Sequence, residues 1–475
     1  LKELKINIGK DSIKLLFTGE ELPLEFNGAK EKCRIVSEIL LSIKILDPAC
    51  GSGAFPMGIL NKMLDVLRKL NYRKESILDL KLKIIEDCIY GVDIQPIAVQ
   101  ISKLRFFISI VCEQEIDISK PNFGIIPLPN LETKFVAADT LIGVKKRDIQ
   151  LNFFDNHEKI DSVKEHLLNI RQRHFRASSR SIKTECRIID KQLSGELASL
   201  LVGNNERSVD DARQLATWDP YDQNTSSPFF DSEWMFDISD GFDVVIGNPP
   251  YIQLEKSGGK LALKYKNCDY QTYERTGDIY CLFYERGWQL LKQNAHLCYI
   301  TSNKWMRAGY GEATRKFFVE KTNPLQLIDF AGIKIFESAT VDTNILLFQK
   351  SYNEERTRAC IAKDTRCRDN LSNYIHTASS IYRFKSKESW VILSPVELTI
   401  KNKMESTGIP LKQWDINIYR GVLTGCNEAF IISGDERTAI LKNCKDIQER
   451  EKTSAVLRPI LRGRDLKPYG YQFAE

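Results

Sequence analysis

The sequence has no run of about 18 apolar residues, the length that a helix needs to cross a membrane, and no secretory signal opens it. Its twelve cysteines never form a C-x-x-C pair, which argues against a zinc centre and for reduced thiols in a cytosol. The chain begins at Leu1 rather than at Met, so we expect a further segment upstream. These absences predict a cytoplasmic globular protein without a metal centre.

Positive charge is concentrated in two places rather than abundant. The net charge is only +5 over 475 residues, and this length allows roughly two to four domains of about 100–200 residues each. Residues 171–191 and residues 458–471 are nevertheless strongly basic. Such patches can contact the phosphates of a nucleic acid. The alternative for each patch is a solvated helix face or loop.

Short apolar runs alternate with helical patterns along most of the chain. Strands that alternate with helices are typical of a sheet covered by helices on both faces. We therefore predict the α/β class, with a doubly wound, mostly parallel, seven-stranded sheet of the Rossmann-like type. The predicted strands are residues 43–46, 88–94, 134–141, 242–250, 295–303, 325–333 and 343–350.

The same patterns divide the chain into parts. Residues 1–41 show no clear pattern and are interpreted as the remnant of a connector, and residues 42–380 carry the sheet. Residues 150–235 interrupt it with a polar, basic, helix-like stretch that is too long for a plain loop, so we predict a helical insertion. Residues 381–475 are predicted to begin a separate α+β domain that is only partly present.

A glycine-rich turn follows the first predicted strand in "ILDPACGSGAF", residues 45–55. Ligands of open α/β sheets bind outside the carboxyl ends of the strands. A dinucleotide fingerprint would need a third glycine where Pro56 stands, and the Gly-Lys-Ser/Thr of a P-loop is absent. An aspartate before the turn disfavours a pyrophosphate and suits a cationic amino group, as in S-adenosylmethionine. The predicted cofactor-binding residues of this turn are Asp47, Pro48, Ala49, Gly51, Gly53 and Phe55.

Acidic residues also end the second and third predicted strands. Asp93 is placed to accept both hydroxyls of a ribose, and Ile94 can cover one face of an adenine. Asp139 is placed to accept from the adenine amino group. Each aspartate taken alone is equally a cap of its strand, but three acidic strand ends in order favour a nucleoside site.

The fourth predicted strand runs directly into Asn248-Pro249-Pro250-Tyr251. The lone pair of an adenine amine is conjugated with the ring, so the amine is a poor nucleophile. Two acceptors, the side-chain oxygen of Asn248 and the backbone carbonyl of Pro249, would grip its two N–H groups and aim the lone pair at a methyl donor. Tyr251 offers a ring on which a planar base can stack.

These segments together resemble the N6-adenine DNA methyltransferases in which the cofactor motifs precede the catalytic one. The segments "FDVVIGNPPYIQ", "ITSNKWMRAGYGEATRKFF" and "LRPILRGRDLKPY" more narrowly resemble type IIG restriction–modification enzymes. Those enzymes fuse a nuclease, a helical connector, a methyltransferase and a target-recognition domain. The resemblance covers roughly residues 42–475 and implies a methyl transfer from S-adenosylmethionine to the N6 amine of a flipped adenine in a specific duplex DNA sequence.

The resemblance also implies further contacts and a larger protein. Phe336 corresponds to the aromatic residue that stacks on the other face of the flipped base, with core packing as the alternative. The upstream cofactor motif has no match in residues 1–41, and no convincing nuclease signature is found. We therefore expect the modification part of a larger enzyme, with a truncated recognition domain. The candidate DNA contacts are Arg173, Arg176, Arg180, Lys304, Arg307, Arg315, Lys316, Arg462 and Arg464.

Two other functions remain open from the residues. Methyltransferases that act on protein glutamine N5 or on RNA also use Asn-Pro-Pro-Tyr, although the basic insertion and the large C-terminal part argue for DNA. A DNA-binding specificity fragment with an inactive catalytic domain is the non-enzymatic alternative. The intact Asn248–Tyr251 segment and the glycine turn argue against it.

Overall fold

The computed structural model divides the chain into two compact units, residues 1–392 and residues 393–475. The residues that it describes are 8–71, 75–144, 157–204, 206–336, 341–365, 367, 370–393, 395–417, 430–461 and 463–472. Among these residues, no helix is long and apolar enough to span a membrane.

The first unit is built around one nine-stranded sheet of order β3-β2-β1-β4-β5-β7-β6-β8-β9. Strands β1 to β5 are parallel to one another, whereas β7 is antiparallel to both β5 and β6. The seven predicted strands are therefore present, but the predicted number is too low because β8 and β9 extend one edge. The strands are β1 Ile45–Asp47, β2 Ile89–Asp93, β3 Phe135–Ala137, β4 Phe242–Gly247, β5 Leu291–Ser302, β6 Asn323–Asp329, β7 Thr343–Gln349, β8 Thr357–Ile361 and β9 Ser380–Tyr382.

Helices of the first unit cover both faces of this sheet. They are α1 Lys10–Thr18, α2 Lys30–Ser42, α3 Ala54–Lys69, α4 Ile77–Asp87, α5 Pro96–Val111, α6 His157–Arg176, α7 Arg180–Gly203, α8 Val209–Ala216, α9 Ser232–Phe236, α10 Lys260–Tyr265, α11 Ile279–Leu290, α12 Gly311–Lys321 and α13 Leu371–Ala378. Alternate strand residues enter different cores because successive side chains of a strand point to opposite faces. Ile45 lies in one hydrophobic cluster with residues of α1 to α5, whereas Leu46 lies in another with residues of α6 to α12.

The helical insertion is part of the main core. Ile160, Leu167 and Leu197 lie in the same hydrophobic cluster as Leu46 of β1 and Trp305, which follows β5. The helices α1 and α2 likewise contribute buried residues to the opposite cluster. Both segments therefore belong to the first compact unit.

The boundary between the units falls after Ile392, later than the expected residue 380. Strand β9 pairs with β8, and the ring of Trp390 meets that of Trp305, which follows β5, with centroids 5.3 Å apart. These contacts keep residues 380–392 with the sheet.

The second unit contains helices and a short hairpin. Its described elements are α14 Pro395–Thr407, α15 Gly434–Lys442, α16 Ile447–Val456, and the antiparallel strands β10 Leu466–Lys467 and β11 Gly470–Tyr471. Apolar side chains of these elements are largely exposed, including Val396, Met404 and Ile447. The described part of this unit therefore has little core of its own.

Candidate active site

The order of the strands creates a crevice between β1 and β4. The chain proceeds from β1 to β2 and β3 on one side, and β4 lies on the other side of β1. Such a switch point opens a crevice outside the carboxyl ends of the strands, where ligands of open α/β sheets bind. Asp47 ends β1 and Gly247 ends β4, so the two predicted motifs meet at this crevice.

The glycine turn between β1 and α3 depends on two glycines in the left-handed region. Gly51 has φ of +52° and Gly53 has φ of +82°, a conformation that glycine adopts at little cost. A Cβ on Gly53 would lie 2.8 Å from Oγ of Ser102, so this position also excludes a side chain. Pro48 is buried, and Phe55 is partly exposed in the first turn of α3.

Asp47 is a buried carboxylate with a free acceptor. Its side chain is 2% exposed, Oδ1 accepts from the backbone N–H of Ala49 at 3.2 Å, and Oδ2 has no hydrogen-bond partner among the described residues. Burial raises the pKa of Asp47 to about 8, and the nearby negative charge of Asp93 contributes to the rise. The hydrogen bond from Ala49 acts in the opposite direction. A cationic group is the partner that such a carboxylate lacks.

Asp93 joins the end of β2 to the glycine turn. Its Oδ2 accepts from the backbone N–H of Gly51 at 2.9 Å, and its Oδ1 accepts from that of Gln95 at 2.9 Å. A carboxylate can accept about four hydrogen bonds, so Asp93 retains capacity for two more. The neighbouring Ile94 is 49% exposed, which leaves an apolar surface beside the carboxylate.

Asp139 has protein partners that the sequence did not reveal. Its Oδ1 accepts from the N–H of Leu141 at 3.1 Å, and its Oδ2 accepts from the hydroxyl of Tyr265 at 3.0 Å and lies 2.6 Å from Nζ of Lys264. Thr140 donates from Oγ1 to the carbonyl of Pro48 at 2.7 Å, which ties this strand end to the glycine turn. No local motif marks Lys264 and Tyr265, because they reach Asp139 from the distant helix α10.

The Asn248–Tyr251 segment leaves β4 directly beside Asp47. A Cβ on Gly247 would lie 2.6 Å from Oδ1 of Asp47, so the strand end and the buried carboxylate are in contact. The hydroxyl of Tyr251 donates to Oδ1 of Asn248 at 2.7 Å and also lies 3.3 Å from the carbonyl of Ile300. The predicted acceptor therefore already holds a donor from within the protein.

Three of the remaining candidates lie at the same end of the sheet. Phe336 is partly exposed in the loop after β6, and Lys304 and Arg307 are exposed after β5. Nη2 of Arg307 is 3.9 Å from the buried carboxylate of Asp329, too far for a hydrogen bond. Lys316, also exposed, is in α12.

Arg315 is a wrong prediction as a DNA contact. Its guanidinium is buried and donates to the carbonyls of Trp305, Ala308 and Lys387 at 2.6, 3.0 and 2.8 Å. Burial lowers the pKa of Arg315. This arginine fastens the turn after β5, and its donors are not presented to a phosphate.

The basic segment 171–191 lies at the opposite end of the sheet. Asn130, five residues before β3, donates from Nδ2 to the carbonyl of His174 at 2.7 Å, which places the α6–α7 turn beside the amino end of β3. Arg173 pairs with Glu185 at 3.0 Å, and Arg176 pairs with Glu86 at 2.6 Å. Arg180 is exposed at the start of α7.

The C-terminal candidates can be located only in part. Arg462 lies outside the described residues. Arg464 belongs to the short 3-10 helix Gly463–Asp465 of the second unit.

Comparison with known families gives two matches. Residues 87–336 match the model of the Eco57I restriction-modification methylase, which is more than half of the chain. Residues 25–137 match the model of the MmeI DNA-methyltransferase domain. The two matches together cover every strand end of the crevice.

Individual relatives agree with these families. The chain is 24% identical over 379 residues to RM.MjaORFECS2P of Methanocaldococcus jannaschii, covering 68% of this chain and 31% of the relative. It is 28% identical over 206 residues to the type II restriction enzyme and methyltransferase RM.Eco57I of Escherichia coli, covering 41% and 20%. It is 28% identical over 221 residues to the type II methyltransferase M.BstVI of Geobacillus stearothermophilus, covering 42% and 39%. The chain thus spans less than half the length of these relatives.

Proposed function

The chain belongs to the Eco57I family of restriction-modification methylases, and on that premise we propose that it transfers a methyl group from S-adenosylmethionine to the N6 amine of an adenine in a specific duplex DNA sequence. One observation carries the proposal. A Cβ on Gly247 would lie 2.6 Å from Oδ1 of the buried Asp47, so the strand end that presents Asn248 and the acidic end of β1 share one crevice.

The residues of the crevice fit the proposed cofactor. Asp47 would receive the ammonium of the methionine moiety on Oδ2, the atom that lacks a partner. Asp93 has acceptor capacity for ribose hydroxyls, and the exposed side chain of Ile94 offers an apolar cover for a purine. When bound, the cofactor supplies a methyl group activated by a sulfonium.

The residues after β4 would prepare the amine for attack. Oδ1 of Asn248 and the carbonyl of Pro249 accept its two N–H groups and localise the lone pair on nitrogen. The methyl group would pass to the amine nitrogen as its bond to sulfur breaks, and the amine would then lose its extra proton to water. No strong base is required, because positive charge develops on the amine only as the methyl arrives.

An adenine within a duplex must leave the base stack, which costs a few kcal/mol. Stacking on Tyr251 offsets part of that cost, and we assign Phe336 to the other face of the base. Lys304 and Arg307 are the assigned phosphate contacts, because both are exposed at the carboxyl end of the sheet. By its family, we assign the chain to the modification part of a restriction–modification enzyme.

The test is the appearance of N6-methyladenine in DNA. The chain is incubated with unmethylated duplex DNA and S-adenosylmethionine, and digested nucleosides are analysed by mass spectrometry. N6-methyladenine with the wild-type chain and none with Asn248→Ala supports the proposal. Methylated glutamine in an added protein, or methylated RNA with unmodified DNA, would support the alternative substrate classes instead.

A further inference from the structure

Helix α10 is fastened to the end of β3 by side chains of consecutive residues. Lys264 and Tyr265 both reach Oδ2 of Asp139, at 2.6 and 3.0 Å. Close by, the hydroxyl of Tyr270 donates to the carbonyl of Leu141 at 2.6 Å. The segment after Tyr251 thus lies against the third acidic strand end of the crevice.

The two oxygens of Asp139 are used unequally. Oδ2 accepts from the hydroxyl of Tyr265 and lies 2.6 Å from the ammonium of Lys264. Among these contacts, Oδ1 accepts only from the N–H of Leu141. Oδ1 is therefore the oxygen that the two side chains of α10 leave open.

Lys264 differs from an ordinary surface lysine because its ion-pair partner, Asp139, is buried. Its own side chain is 40% exposed, whereas that of Asp139 is only 4% exposed. The ammonium group also lies 5.4 Å from the centre of the Tyr265 ring, within the range of a cation–π contact. Lys266, two residues later, is an exposed lysine of the same segment and provides a matched comparison.

We propose that Lys264 is a positioning residue that fixes the Asp139 carboxylate so that Oδ1 accepts from the exocyclic amine of the cofactor's purine. The inference rests on the proposed use of S-adenosylmethionine. By engaging Oδ2, Lys264 and Tyr265 prevent rotation of the carboxylate and balance its charge. Lys264 thereby contributes to the choice of an aminopurine over an oxopurine, without touching the purine itself.

The experiment compares two ligands that differ at this edge of the purine. S-Adenosylhomocysteine carries the amine, and S-inosylhomocysteine has a carbonyl in its place and a hydrogen on N1. Dissociation constants of both are measured by calorimetry with the wild-type chain, Lys264→Met, Lys264→Arg and Lys266→Met. Methionine keeps the apolar stem and removes the charge, and arginine keeps the charge.

We expect the wild-type chain to prefer the adenosyl ligand by roughly tenfold or more, the usual effect of one hydrogen bond to a charged group. Lys264→Met should lose most of this preference, mainly through weaker binding of the adenosyl ligand. Lys264→Arg should restore most of it, and Lys266→Met should match the wild-type chain. Lys264→Gln is measured in parallel, with the same expected loss, in case the methionine variant does not fold.

Three results would overturn the inference. Equal weakening of both ligands in the folded Lys264 variants would mean that Lys264 only supports the fold. An unchanged preference for the adenosyl ligand in these variants would mean that Asp139 does not need Lys264 to hold it in place. Equal binding of both ligands by the wild-type chain would mean that Asp139 does not accept from the amine. Binding of neither ligand by the wild-type chain would instead refute the proposed cofactor.

Discussion

Two buried acids, one at each end of the central sheet, differ in their partners. At the amino end, Glu86 pairs with Arg176 at 2.6 Å, Nζ of Lys44 donates to the carbonyl of Asp87 at 2.6 Å, and Lys292 pairs with Asp243 at 2.9 Å. At the carboxyl end, Oδ2 of the buried Asp47 has no hydrogen-bond partner among the described residues.

This difference separates an acid that is stabilised in its ionised form from one that is not. A buried carboxyl group without a partner disfavours its ionised form, and burial raises the pKa of Asp47 to about 8. Counts of basic residues do not reveal this distinction, since the richest basic segment lies at the paired end.

Loss of the Asn248 acceptor should have the largest effect, and this effect should be on the rate of methyl transfer. Asn248→Ala should lower the single-turnover rate of DNA methylation by about 10²–10³-fold, as for the loss of one preorganised polar group that stabilises a transition state. The affinity for S-adenosylhomocysteine should stay within about twofold, because Asn248 is not assigned to the cofactor. A comparable loss of cofactor affinity would contradict the separation of roles.

The free carboxylate of Asp47 should make cofactor binding depend on pH. The pKa of Asp47 is raised to about 8 in the empty protein, and binding of an ammonium requires the ionised form. The affinity for S-adenosylhomocysteine should therefore rise between pH 6 and pH 7.5, approaching roughly tenfold per pH unit. Asp47→Asn should bind more weakly and with a flat profile, whereas an equally steep profile in this variant would exclude Asp47 as the titrating group.

The same raised pKa has a consequence for stability. Because the pKa is higher in the folded chain than in the unfolded chain, the empty protein loses stability as the pH rises from the unfolded value towards 8. Any cofactor that ionises Asp47 must supply this free energy.

One methyl group added at Gly247, the last residue of β4, should disturb Asp47. Gly247→Ala places a Cβ 2.6 Å from Oδ1 of Asp47, so the carboxyl group must shift. We expect about a tenfold loss of affinity for S-adenosylhomocysteine, in line with the cost of overpacking. Gly58→Ala in α3 is the matched control, because its Cβ would meet nothing within 4 Å; an equal effect there would refute the specific clash.

Replacement of an arginine at either end of the sheet should have the smallest effects. The two replacements should differ in how DNA affinity depends on salt. Arg307→Ala should weaken DNA binding a few-fold and reduce the slope of log affinity against log salt by about 1, as expected for one lost phosphate contact. Arg176→Ala should leave both quantities unchanged, because its guanidinium pairs with Glu86. The reverse result would place DNA at the amino end.

The strands of the sheet are well predicted because each is encoded by a short stretch of neighbouring residues. The seven predicted strands are present, and the glycine turn lies between β1 and α3 as expected. Strands β8 and β9, which were missed, extend one edge of the sheet after the regular alternation of strands and helices has ended. The partners of Asp139 could not be predicted, since residues 139 and 265 are 126 positions apart. The burial of Arg315 depends on carbonyls from two other segments and has no sequence signal either.

Under the proposed function, the hydrogen bond from Tyr251 to Asn248 would make entry of a base an exchange of donors. An incoming amine would replace the phenolic O–H, so Asn248 would have a donor before and after, whereas guanine or thymine would present a carbonyl and leave two oxygens facing each other. Such a pocket would reject keto edges before any chemistry begins. Cytosine would be accepted as adenine is, so the choice between these two would come from the size of the ring.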